Sequence, residues 1–182
     1  MSNTTDTTHA DRTLLAAVAE GDMQAFQALH RRHNARIYGF AFRIVQASDR
    51  AEEIANDTWL AVWKGASKFE GRSKVSTWLF GIAYRTALKT RRRFRFEIGH
   101  VELDHDLRAS DDTNAENALI SRDVTRALAR LSIEHRTIME LTYYYGLTYT
   151  EIGELIGCPE GTVKSRMSQA RKKMKSLLEP TE

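Results

Sequence analysis

Apolar residues along this chain recur at spacings of three and four and seldom alternate with polar ones, the period of amphipathic helices rather than of strands. Leu14, Leu15 and Val18 predict a short helix that stops at Gly21, after a start (1–10) that has no apolar period and is expected to be disordered. Asp22 is placed to cap the next helix, in which Phe26, Leu29, Ile37, Phe40, Ala41 and Ile44 recur. Asp49 and Glu52 have the spacing of a capping box, and the helix they open carries Ala51, Ala55, Thr58 and Val62 on one stripe. "FEGRSKVS" follows, with Gly71 punctuating a loop. Val75, Trp78, Leu79, Ile82 and Ala83 then form the clearest stripe of this half.

The period fails after the basic run Lys89, Arg91, Arg92, Arg93 and Arg95. Glu97, Glu102, Asp104, Asp106, Asp111, Asp112 and Glu116 are opposed there only by Arg108, the composition of a flexible linker. Periodicity returns with Ile120, Val124, Ala127, Leu128 and Leu131. Ser132 can cap a helix bearing Ile138, Met139, Leu141 and Tyr145, which ends at Gly146. Thr148 and Glu151 form a second capping box, opening a short helix with Ile152, Leu155 and Ile156. Val163, Met167, Ala170, Met174 and Leu177 line the last helix. The expectation is an all-α chain of two small helical domains, 11–95 and 118–180, joined by a flexible acidic linker over 96–117. Two prolines and ten glycines in 182 residues agree with helices rather than a turn-rich β fold.

The single cysteine, Cys158, excludes an internal disulfide and a thiolate zinc cluster. His30 and His33 have a spacing a metal could use, but no carboxylate or cysteine stands near them in sequence, so a solvated or capping role is expected. No metal or cofactor is expected. The polar start lacks the apolar stretch of a signal peptide, and no apolar run approaches membrane-spanning length. A cytoplasmic location is the expectation.

Net charge is only +3, so what matters is where the charges lie. "YTEIGELIGCPEGTVKSRMSQARKK" reads as helix, tight turn and helix, the helix-turn-helix pattern. Gly157 suits the end of the first helix and Pro159 the opening turn of the second. With Val163 and Met167 buried, the opposite side shows Thr162, Lys164, Ser165, Arg166, Ser168, Gln169 and Lys172. Hydroxyls, an amide and cations are the groups that reach base edges and phosphates in a major groove. A solvated basic helix would look the same in composition; following directly on this turn, the face reads as DNA-binding. In the first domain, Lys64, Lys68, Arg72, Lys74 and the run 89–95 are interleaved with Trp59, Trp63, Phe69, Trp78, Phe80 and Tyr84. Cations among rings suit unpaired nucleic acid, with bases stacked and phosphates neutralised. Trp78 lies on the apolar stripe and is expected in the core; Trp59 and Trp63 fit either core or stacking surface. Glu52, Glu53, Asn56 and Asp57 crowd two turns of one helix. Acids there fit the helix N-terminus, or a patch for a basic protein partner.

The two halves together resemble the sigma factors of bacterial RNA polymerase. "DRAEEIANDTWLAVWKGASKFEGRSKVSTWLFGIAYRTALKTRRR" (49–93) is similar to their second region, and "LSIEHRTIMELTYYYGLTYTEIGELIGCPEGTVKSRMSQARKKMKSLL" (131–178) to their fourth. With no third region between them, the chain resembles the extracytoplasmic-function (ECF) subgroup. The resemblance implies a promoter-specificity subunit of core RNA polymerase, held by the clamp of the largest subunit and the flap of the second-largest, with no catalysis of its own. Glu52, Glu53, Asn56, Asp57 and Trp63 would dock the clamp. Arg72, Ser73, Lys74, Ser76 and Thr77 in the loop, with Tyr84, Arg85, Lys89, Arg92 and Arg93 on the following helix, would open the minus-ten element and hold a flipped base. Thr162, Lys164, Ser165, Arg166, Gln169 and Lys172 would read minus-thirty-five duplex, with Arg136 and Tyr149 near its backbone. A cognate anti-sigma factor would cover both lobes. Arg85 stands where the family often has Asn, Ser132 for Pro, Gly153 for Ala and Gln169 for Arg. Two other classes are a stand-alone helix-turn-helix regulator dimerising through its first lobe, and a metal- or carboxylate-dependent enzyme on nucleic acid built around Glu53.

Overall fold

The computed structural model describes residues 3–97 and 123–179, and among these the regular structure is entirely helical. The chain divides into two compact units, Met1–His100 and Val101–Glu182. The N-terminal unit holds α1 (Asn3–Ala19), α2 (Met23–Val45), α3 (Ser48–Gly65), a 3-10 turn (Ala66–Lys68) and α4 (Val75–Glu97). α1 starts at Asn3, so helix replaces most of the start expected to be disordered.

Asp22 caps α2 as its sequence suggests: its Oδ1 accepts from the backbone N–H groups of Gln24 (2.7 Å) and Ala25 (3.1 Å). The capping box expected at Asp49 and Glu52 does not form. α3 begins two residues earlier than that box would set it, its N-cap is Ala47 with no side-chain cap, and Asp49 lies inside the first turn, where its charge still complements the helix dipole.

α4 packs on α1, α2 and α3. That is why every residue from Leu79 to Tyr84 is buried, more than a full turn rather than a stripe. Phe80 meets Phe40 of α2 edge-on, with ring centroids 5.2 Å apart. Trp59 belongs to this core: it is 4% exposed, and its indole N–H donates to Asn34 Oδ1 at 2.9 Å. Trp78, expected inside, is only half-buried and packs against Phe69 of the loop at 5.4 Å.

The histidines depart from the solvated role expected of them. His33 is buried with its Nε2 2.7 Å from Asp11 Oδ2, and Arg32 reaches the other carboxylate oxygen at 3.0 Å, so the three residues fasten α1 to α2. His30 lies 4.8 Å from the Trp59 ring, and partial burial lowers its pKa.

The C-terminal unit holds α5 (123–129 among the described residues), α6 (Ile133–Tyr143), α7 (Tyr149–Ile156) and α8 (Glu160–Leu178). Ser132 caps α6 through the His135 N–H. Thr148 and Glu151 form the expected reciprocal capping box on α7. Ile138, Leu141, Ile152 and Val163 are fully buried, and Ala127, Leu131, Ala170 and Met174 continue the core along α5 and α8, flanked by Val124, Leu128, Met139 and Leu177. α4 runs to Glu97; the rest of the acidic linker and Ile120 lie outside the described residues.

Candidate nucleic-acid and partner interfaces

The turn between α7 and α8 is built on Gly153 and Gly157. Gly157 ends α7 in the left-handed conformation, φ 74°, which glycine adopts without a Cβ clash. Its N–H and that of Cys158 both donate to Gly153 O, each at 2.9 Å. This folds the chain back so tightly that a Cβ on Gly153 would lie 2.7 Å from the Cys158 carbonyl oxygen. Gly153 is therefore a close-approach residue, whereas its place in the sequence reads only as a loosened helix. Gly153→Ala is expected to lose stability although alanine is the better helix former. The gain of about 1 kcal/mol in propensity is outweighed by about 1–3 kcal/mol of overpacking. A thermal melt of the full chain checks this, with a lowered C-terminal midpoint expected. Pro159 sits at the N-cap with φ −59°, and Cys158 is half-buried in the turn.

On α8, Val163, Met167, Ala170 and Met174 face the core. Thr162, Ser165, Arg166, Gln169 and Lys172 stand on the outer side, exposed or half-buried. Lys164 does not stand beside Arg166: two residues of helix separate them by about 160° around the axis. Its Nζ is 2.6 Å from Glu160 Oε1, while Thr150 of α7 donates to Glu160 Oε2 at 2.8 Å. Bonded first to Lys164 and then to Thr150, the Glu160 carboxyl titrates below its usual range, and bonding to Glu160 raises Lys164. Both groups are exposed, so the pair positions Lys164 on the flank and adds little stability. It persists at neutral pH and weakens as acid protonates Glu160 through its lowered pKa. Glu160 escaped the sequence reading, although its four-residue spacing from Lys164 was a visible signal. His135 also escaped it: its Nε2 lies 3.3 Å from Gln169 Oε1, so α6 steadies an amide on the outer face of α8.

Tyr149, the first residue of α7, is half-buried. Arg136 departs from the expectation of a DNA-backbone contact. It is 4% exposed, and its guanidinium donates to the carbonyls of Leu128 (2.8 Å), Ala129 (2.5 Å) and Leu131 (3.2 Å). These are the end of α5 and the turn beyond, where carbonyls lack helical partners. Tyr143, the last residue of α6, and Tyr144, just beyond it, are 62% and 63% exposed, and Arg171 donates to the Tyr143 hydroxyl at 2.9 Å.

In the N-terminal unit, Arg85, Lys89 and Arg92 are exposed at helical spacing along α4, and Arg93 is exposed beside them but paired with Glu53 of α3. Arg72 and Lys74 are exposed in the preceding loop, Ser73 and Ser76 half-buried; Arg72 pairs with Glu70 at 2.5 Å. Thr77 and Tyr84, expected at DNA, are 4% and 5% exposed. The packing of α4 on three neighbours turns both inward.

Along α3, Glu52, Asn56 and Asp57 are exposed, and Glu53 is half-buried in its pair with Arg93. Leu60, 51% exposed, extends the same side by a turn and was missed. Its signal was an apolar residue standing off the stripe of Ala51, Ala55, Thr58 and Val62. Trp63 is half-buried, edge-on to Phe26 at 5.3 Å.

The family model for sigma-70 region 2 matches residues 29–96, and that for sigma-70, region 4, matches residues 121–174. The chain is 30% identical over 190 residues to the RNA polymerase sigma-H factor of Pseudomonas aeruginosa, covering 96% of each. It is 29% identical over 178 residues to the ECF RNA polymerase sigma factor SigK of Mycobacterium tuberculosis, covering 91% of this chain and 92% of that one. Among solved structures it is similar to the sigma factor RpoE of Bartonella quintana, solved in complex with the anti-sigma factor NepR, with TM-score 0.72 and 26% identity over 86% of this chain and 98% of that one. CnrH, solved in complex with the cytosolic domain of CnrY, shares the fold at TM-score 0.69 and 24% identity, over 93% of this chain and 97% of that one.

Proposed function

This chain belongs to the sigma-70 family, in its ECF group, and recognises promoters to start transcription with RNA polymerase; we propose how its surfaces divide that work. The exposed cations of the loop and α4 (Arg72, Lys74, Arg85, Lys89 and Arg92), with Ser73 and Ser76, engage the opened minus-ten strand. Thr162, Ser165, Arg166, Gln169 and Lys172 enter the minus-thirty-five major groove, with Tyr149 near its edge. Lys164, held on the flank by Glu160, meets the phosphate backbone rather than a base. Arg136, Thr77 and Tyr84 have no place in this interface, because their side chains are buried.

The observation that carries the division is the segregation of charge: cations on the outer sides of α4 and α8, acids beside Leu60 on α3. Glu52, Asn56, Asp57, Leu60 and Trp63 form the surface for the polymerase clamp, an apolar residue ringed by polar ones as in protein interfaces. Exposed Tyr143 and Tyr144 suit a second protein contact, the flap. The family needs no catalytic residue of its own, since the polymerase supplies the chemistry. No helix among the described residues is long and apolar enough to cross a membrane, and the working location is the cytoplasm. Anti-sigma factors bind relatives such as RpoE of Bartonella quintana, and a cognate one is expected here, covering both lobes.

Run-off transcription with purified core polymerase on fragmented genomic DNA tests the whole reading. New RNA 5′ ends sharing two upstream motifs at fixed spacing are expected only when this protein is added. A DNA shift that needs no polymerase, with no new starts, would overturn it.

A further inference from the structure

We infer that Arg12 is a positioning residue for promoter opening, holding the loop between the 3-10 turn and α4 in its working shape. The inference rests on the reading above that this loop meets the minus-ten strand. Arg12 Nη2 donates to Gly71 O at 3.0 Å and approaches Ser73 O at 3.5 Å. These carbonyls flank Arg72, and Lys74 follows. Gly71 has φ 73°, so the loop makes a sharp bend, braced within itself by exposed contacts of small worth, the Arg72–Glu70 pair at 2.5 Å and the Ser73 hydroxyl donating to Lys74 O at 3.3 Å.

Arg12 can act as a fixed post because α1 is itself fastened. Its neighbour Asp11 is 4% exposed and bonded to both His33 and Arg32 of α2, while Leu15 and Val18, further along the helix, are 1% and 2% exposed. At its two ends the loop is already anchored, by the Phe69 N–H donating to Ala66 O at 3.1 Å and by the Phe69–Trp78 ring contact. Arg12 supplies the missing hold at the apex. A loop held in its bound shape loses less freedom on meeting single-stranded DNA, so the cations beside it bind tighter and select more sharply. Arg12 itself needs no contact with DNA.

The test uses full-length protein assembled with core polymerase, with single-stranded oligonucleotides carrying the minus-ten sequence mapped by run-off transcription, native or scrambled. Arg12→Ala is expected to weaken native-strand binding about tenfold and to shrink the native-to-scrambled ratio. Core polymerase affinity and duplex minus-thirty-five binding should stay within twofold. Arg12→Lys, which keeps the charge but carries it on a compact ammonium of different reach, should recover only part of the loss. The double variant Arg72→Ala/Lys74→Ala tests the loop reading separately. If the double variant is impaired and Arg12→Ala is not, the positioning role is wrong and the loop reading stands. If neither is impaired, both fail. If Arg12→Ala lowers polymerase affinity in parallel with strand binding while the selectivity ratio stays constant, Arg12 only stabilises the fold and the inference is overturned.

Discussion

Arg136→Ala is expected to destabilise the C-terminal unit strongly rather than merely weaken its grip on DNA. The guanidinium is buried and donates to the carbonyls of Leu128, Ala129 and Leu131. Alanine would remove all three bonds at once, leaving Leu128 O with only its bond from the Leu131 N–H and the Ala129 and Leu131 oxygens without the guanidinium donor. Hydrogen bonds from a charged group contribute about 1.5–3 kcal/mol each, and an orphaned buried acceptor adds its own desolvation penalty. The contributions overlap, so a net loss of about 3 kcal/mol is a conservative figure. A small unit has only the low end of the usual 5–15 kcal/mol to lose. Its melting midpoint should fall by more than about 10 °C. Thermal unfolding followed by circular dichroism measures this directly. Arg136→Lys should rescue little, because an ammonium cannot span three carbonyls. An unchanged midpoint with weakened binding of minus-thirty-five duplex would return Arg136 to the DNA interface.

The second large effect is expected at Asp57. Asp57→Lys should weaken binding to core polymerase by about 100-fold, near 3 kcal/mol. The substitution removes an exposed carboxylate from the acidic side of α3 and sets a cation against a basic partner, so lost attraction and new repulsion add. Asp57 is a cleaner probe than Glu53, whose reversal would also break the pair with Arg93 on α4 and so disturb the proposed minus-ten surface. The deficit should shrink with added salt, because the charges are solvent-facing in the free protein. Fluorescence polarisation of labelled protein titrated with core polymerase gives the affinity, and minus-thirty-five duplex binding serves as the control that should not move. Equal affinity for the variant and the parent would remove the acidic side of α3 from the polymerase interface.

Much of the fold was legible one residue at a time. Asp22, Ser132 and the pair Thr148–Glu151 cap helices where their side chains and spacing say they should, because a cap is a contact between residues two or three apart. At Asp49 the same spacing misleads: α3 begins at Ser48 with Ala47 as its N-cap, two residues before the box would place it, and no side chain caps it. The stripe of α8 was equally plain, since that helix buries one side only. The stripe of α4 was plain too, but not the burial of Thr77, Phe80 and Tyr84 beyond it, since three neighbouring helices cover α4.

What the sequence determined by itself was therefore local or compositional: the helices, their break at Gly157, the division into two domains and the separation of acidic from basic surfaces. Periodicity and charge act over a few residues and need no knowledge of distant ones. Only the tertiary structure decided which polar side chains remain outside. Arg136 turned inward because α5 ends against α6. Glu160, which pairs with Lys164 along α8, is held there by Thr150 of α7. Gly153 became a close-approach residue because Cys158 folds back onto it, and Arg12 reached the loop because α1 packs beside it. Each outcome depends on where the fold carries a side chain or a carbonyl, whether its partner is 5 to 8 residues away, as for Arg136, or 59, as for Arg12, and such a hydrogen bond of about 3 Å leaves no mark in the apolar period of either partner.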